Sequence, residues 1–65
     1  MRITPQILAA LRVGLALTQA ELAQRLGVSQ STVCLWEAGR RRPRRRSAAR
    51  ILRFMEEIEN VEHDR

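Results

Sequence analysis

Residues 17–39, LTQAELAQRLGVSQSTVCLWEAG, contain two helix starts, each followed by a glycine stop. Thr18 followed by Glu21 has the spacing of a capping box, and Leu17 stands five residues before Leu22, the spacing of a hydrophobic staple. A helix is therefore predicted to begin at Gln19, to turn Leu22, Ala23 and Leu26 inward, and to stop at Gly27, which can take the left-handed conformation that closes a helix. The same signals repeat at once. Ser29 is a good N-cap, Val28 and Val33 repeat the staple spacing, and a second helix is predicted from about Gln30 to Glu37, stopped by Gly39. Two helices joined only by Gly27, Val28 and Ser29 have too short a link to lie antiparallel. They must cross steeply, which is a helix-turn-helix.

Working outward, Thr4 is an N-cap with Pro5 at the first helical position, where its missing N–H is no loss. Ile7, Leu8 and Leu11 then form one apolar stripe, so a helix is predicted from Pro5 to Val13, ending near Gly14. On the other side, residues 40–46 are six arginines around Pro43 and read as a basic loop. A last helix is predicted over about 46–61, with Ile51, Leu52, Phe54, Met55, Ile58 and Val61 at three- and four-residue spacing. That stripe is longer than a compact three-helix core needs. Its outer part, Met55, Ile58 and Val61, is expected to be left in water by a lone chain and so to form a homodimer interface. The fold expected is all-α, a small bundle of four to five helices in one domain spanning residues 1–65.

Composition narrows the function. A chain of 65 residues buries only about 60% of the surface its unfolded form exposes, so its core has little surplus stability. One Cys and one His cannot build a disulfide framework or a four-ligand zinc site, and neither a metal nor a cofactor is expected. The apolar runs are too short for a spanning helix and the start MRITPQI lacks the apolar stretch of a signal peptide, which together suggest a cytoplasmic protein with no membrane contact. All twelve cations are Arg, and they are unevenly placed: residues 1–39 carry a net +1, residues 40–53 carry +8 with no acid, and residues 54–65 carry −4. A basic block of this kind fits a polyanion, most often nucleic acid, and the guanidinium fork grips phosphate with two bonds. Catalysis is not expected. There is no Lys or Tyr, the sole His63 lies in an acidic tail, and neither a Gly-rich phosphate loop nor a carboxylate pair is evident.

The stretch from Leu17 to Gly39 closely resembles the helix-turn-helix of the phage repressor and Cro (XRE-type) family, over about a third of the chain. Gln19 opens the motif, Ala23 is the small residue at the helix crossing, Gly27 makes the turn, Val33 packs beneath and Trp36 holds a bulky apolar position; Glu37, Gly39 and Pro43 extend the likeness. The resemblance implies a lambda-repressor-like fold and operator binding to double-stranded DNA. It differs from the family at the C-terminus, where two short helices are common and the pattern here has one continuous helix.

The helix wheel and the resemblance select the same reading face. With Val33 as the buried reference, Trp36 and Glu37 lie within about 60° of it, while Ser31, Cys34, Leu35 and Ala38 point away and Gln30 projects from the first turn. The resemblance implies base reading from Gln30, Ser31 and Leu35, with help from Thr32 and Cys34. Gln suits adenine, Ser suits either edge, and Leu suits the thymine methyl. It also implies a phosphate contact at Gln19. Arg40, Arg41 and Arg42, with Arg44, Arg45 and Arg46 from the far end of the loop, can reach the flanking backbone. The expected function is a homodimeric, sequence-specific transcriptional regulator, a repressor or autoregulator of prokaryotic or phage type. The alternative is a protein-interaction module or antitoxin-type domain that binds a partner protein such as a toxin.

Overall fold

The computed structural model describes the backbone of residues 2–63 and the side chains of residues 2–59. Among these residues there are four helices and no strand: α1 (Pro5–Gly14), α2 (Gln19–Leu26), α3 (Gln30–Glu37) and α4 (Arg45–His63). Helix α3 packs against both α1 and α2, and α4 lies against α2.

Each of the first three helices starts on the side chain expected of it. Thr4 Oγ1 accepts from the Ile7 N–H at 3.1 Å, and Ser29 Oγ accepts from the Thr32 N–H at 3.2 Å. At α2 the capping box is complete, with Thr18 Oγ1 accepting from the Glu21 N–H at 3.1 Å and Glu21 Oε1 accepting from the Thr18 N–H at 2.8 Å. These bonds satisfy donors that a helix start leaves without an internal partner.

The three helix ends also share one geometry. The N–H groups of Leu17, Val28 and Arg40 bond back to the carbonyls of Arg12, Ala23 and Leu35, and those of Ala16, Gly27 and Gly39 bond to Val13, Gln24 and Trp36. This is the Schellman arrangement, and it needs a left-handed residue at each stop. Gly27 and Gly39 supply it at φ 72° and 76°, but at the first stop the residue is Ala16, at φ 56°. The predicted end of α1 is corrected accordingly. Gly14 is helical and the turn falls two residues later, where L-alanine carries a steric cost of roughly 1–2 kcal/mol.

The core consists of Leu8 from α1, Leu22, Ala23 and Leu26 from α2, Val33 and Trp36 from α3, and Ile51 from α4, with Leu22, Val33 and Ile51 fully enclosed. The staple residues Leu17 and Val28 pack on its edge beside Ile3, Leu11, Phe54 and Met55. Two expectations about α4 change here. The helix begins at Arg45, with the Arg44 carbonyl taking the Ala48 N–H at 2.7 Å, so Arg45 and Arg46 belong to its first turn and the basic loop is shorter than residues 40–46. Nor is Met55 left in water, since it folds onto its own chain's core; Ile58 is half-buried, and the Val61 side chain lies outside the described residues.

A contact across α2 and α4 finishes the bundle. One terminal guanidinium nitrogen of Arg50 donates to the Leu26 carbonyl at 3.2 Å, closing an acceptor at the end of α2. A Cβ on Gly27 would stand 2.9 Å from that nitrogen, whereas a Cβ on Gly14 would meet nothing within 4 Å. Gly14→Ala is therefore expected to raise the unfolding free energy by about 0.4–1 kcal/mol, because it removes freedom from the unfolded chain at no steric cost. Gly27→Ala should lower it by about 1–2 kcal/mol through the left-handed backbone. Urea titration of the two variants beside the parent checks both signs.

Candidate functional site

Helix α3 is held from one side only. Val33 and Trp36 are buried, while Gln30, Ser31 and Cys34 are exposed on the opposite surface. Of the other two residues expected on this surface, Thr32 is half-buried, and its Oγ1 shares a 2.8 Å hydrogen bond with Ser29 Oγ. Its hydroxyl is engaged in the cap, leaving it less free than Ser31. Leu35, which the helix wheel turns to solvent, is half-buried; the chain doubles back there, with the Arg40 and Arg41 N–H groups both bonded to the Leu35 carbonyl.

The orientation of α3 is fixed at its last residue. Glu37 accepts from Arg12 of α1 through two parallel bonds, Nε to Oε2 at 2.8 Å and a terminal nitrogen to Oε1 at 3.0 Å. The third Arg12 nitrogen donates to the Leu17 carbonyl at 3.1 Å, in the turn that leads into α2. The Gln19 amide donates to Glu37 Oε1 at 3.2 Å, so one carboxylate joins three helices. The pair is well enclosed, with side-chain exposures of 21% for Arg12 and 9% for Glu37. Burial pushes the Glu37 carboxyl upward, but the bonds from Arg12 and Gln19 outweigh it and the net displacement is downward; the bond to Glu37 raises Arg12.

None of this network is apparent from local spacing. Arg12 and Glu37 are 25 residues apart, and the only hint is an acid on the buried side of the α3 wheel, which needs a cation from elsewhere. The network also changes the reading of Gln19. One amide hydrogen is committed to Glu37, which holds the side chain beside the start of α2, and the other has no partner among the described residues. The capping box uses the Thr18 and Glu21 N–H groups, and those of Gln19 and Ala20, in the first turn, have no intrahelical carbonyl to bond at the positive end of the helix dipole.

Arg40, Arg41, Arg42, Arg44, Arg45 and Arg46 are all exposed, and the only ion pair among the described residues is Arg12–Glu37. The first four sit in the turn and loop after α3. The other two lie in the first turn of α4, which has no acid and whose dipole adds to their positive field. The structure thus leaves a polar face of α3 open and the six arginines that follow it in the chain exposed, without an ion-pair partner among the described residues. Among the described residues no group of His, Cys, Asp and Glu could hold a metal ion, and no helix is long and apolar enough to cross a membrane.

A helix-turn-helix family model matches residues 8–58, from the middle of α1 to well inside α4. The chain belongs to the XRE-type, Cro-like helix-turn-helix family. A comparison with the curated proteins gives no match. The XRE-type family is one of DNA-binding transcriptional regulators and not of enzymes.

The Glu37 network makes a test by pH. Glu37 and Glu21 are both held below the ordinary carboxylate range, Glu21 chiefly by the Thr18 backbone N–H. A depressed carboxyl contributes stability that is fully present above its unfolded value, about pH 4, and is lost as pH falls through the lower folded value. Thermal melts of the parent are expected to fall as pH drops below about 4. Glu37→Gln should lower the melting temperature at neutral pH and flatten that acid limb, with the Glu21 contribution remaining.

Proposed function

We propose that this protein is a homodimeric, sequence-specific repressor or autoregulator that lays α3 in the major groove of double-stranded DNA. The observation that carries the reading is the exposed surface of Gln30, Ser31 and Cys34 on a helix locked from behind, followed in the chain by six exposed arginines without an acidic partner among the described residues. Gln30 presents an amide able to pair with adenine, Ser31 a hydroxyl for a base edge, Leu35 an apolar surface for a thymine methyl, and Thr32 and Cys34 close packing beside them. Arg40, Arg41, Arg42, Arg44, Arg45 and Arg46 hold flanking phosphates, and Gln19 with its neighbouring N–H groups holds another at the start of α2. Two copies would meet through Ile58 and Val61 at the far end of α4, with Met55 at the margin of the contact. Two-fold pairing then presents two reading helices to half-sites about one DNA turn apart.

Titration of duplex DNA at rising salt separates the two roles. Affinity is expected to fall steeply, with a logarithmic slope near −0.9 for each phosphate neutralised. Arg41→Ala and Arg44→Ala should weaken specific and random duplexes alike and make the slope shallower; an unchanged slope in both removes the clamp. Gln30→Ala should instead cost about 1–3 kcal/mol of discrimination at one base pair and leave random-duplex affinity nearly unchanged. A uniform loss on all sequences would show that Gln30 does not read bases. Absence of binding to any duplex at low salt would favour a protein partner.

A further inference from the structure

The first turn of α1 and the chain that leaves α3 enclose a cavity of about 290 Å³. Its floor is Leu8 and Trp36, two residues of the core, and its walls include Ile3 and both prolines of the chain, Pro5 and Pro43. Proline fixes its own backbone angle, and a Cβ on Gly39 would meet Pro5 Cγ at 3.7 Å, an ordinary van der Waals contact. The two segments therefore approach each other through stiff parts, which leave the hollow little freedom to collapse.

The rim is basic. Arg2, Arg41 and Arg42 line the cavity, all three are exposed, and none forms an ion pair among the described residues. No Asp or Glu lines it, and the first turn of α1 carries no acid, so the positive end of that helix dipole adds to the same field. An apolar floor under a cationic rim suits two parts of one ligand, a compact hydrocarbon body for Leu8 and Trp36 and an anionic group for the arginine forks. The cavity stands at the small end of ligand sites, which run from roughly 300 to 1,000 Å³, so the body is limited to a short chain or a single ring.

We propose that this cavity binds a small free carboxylate with an apolar body, and that its occupant acts against DNA. The carboxylate is held by Arg2, Arg41 and Arg42 at the mouth, and the body lies on Leu8 and Trp36. The regulatory half rests on the reading of Arg41 and Arg42 as phosphate contacts. A guanidinium that holds a carboxylate through two bonds is not open to a phosphate, and two anions in one place repel. The ligand therefore weakens DNA binding, and DNA weakens ligand binding by the same factor. The loop that grips DNA thereby becomes sensitive to a small molecule.

Trp36 is the only tryptophan of the chain and part of the cavity floor, so its emission reports occupancy without DNA. The probe is octanoate, kept monomeric, with acetate and octanol as controls for the charge and the body alone; calorimetric titration runs beside the fluorescence. Octanoate is expected to bind saturably, with half-saturation at least about tenfold below that of either control. Arg2→Glu with Arg42→Glu, two exposed positions, should raise that value at least about tenfold while circular dichroism shows the helices intact. No response by either method, octanol binding as well as octanoate, or a variant that binds like the parent would each overturn the site. Octanoate should also weaken binding of the parent to duplex DNA; bound octanoate with unchanged duplex affinity would overturn the regulatory half and leave the site. A parent that binds octanoate but no duplex would overturn the DNA reading, and the regulatory half with it.

Discussion

The Glu37 carboxylate ends α3, takes a two-bond clasp from Arg12 of α1 and takes a third bond from Gln19 of α2. Most residues of this chain lie near the surface, and a carboxylate with 9% exposure must have its bonds satisfied or be displaced. Because its donors come from two other helices, satisfying it fixes where α3 stands relative to both. Arg12 extends the constraint by holding the Leu17 carbonyl in the turn that starts α2. The apolar core supplies most of the driving force, but Leu22, Val33 and Trp36 form a contact with no directional requirement. The clasp adds direction, and a helix that reads base edges needs direction as much as stability.

The readable parts of the sequence were those governed by short-range chemistry. Thr18 with Glu21, and Ser29 before Gln30, place two helix starts to the residue, because a capping bond spans only three positions. Gly27 and Gly39 mark two stops for a similar reason. The third stop was hidden because Ala16 adopts the left-handed conformation without the residue type that signals it, while the nearby Gly14 is an ordinary helical residue. Arg45 and Arg46 read as loop because a run of like charge carries no helical period, yet the chain two residues past Pro43 is free to turn.

The site divides along the same line. The exposure of Gln30, Ser31 and Cys34 follows from one buried reference, Val33, and the geometry of a single helix. Leu35 and Thr32 escape that logic, since one is partly enclosed where the chain turns back and the other's hydroxyl is bonded to Ser29. The Arg12–Glu37 clasp and the Arg50 bond to Leu26 join residues more than twenty positions apart, and only the tertiary fold brings them together. Charge placement, in contrast, is fully written in sequence. The basic block and the acidic end sit on consecutive segments, and the structure leaves the arginines of the first exposed after α3 and sets the change of charge along α4.

The central claim is that the locked, outward face of α3 reads DNA bases in a two-fold assembly. Selection of bound sites from a random duplex pool by the parent protein tests it most directly. The account predicts enrichment of one two-fold-symmetric sequence with half-sites about a helical turn apart and an adenine-containing base pair where Gln30 reaches. A pool that remains unenriched while the protein still binds it would show that the arginines hold DNA without α3 reading it, and would contradict the account.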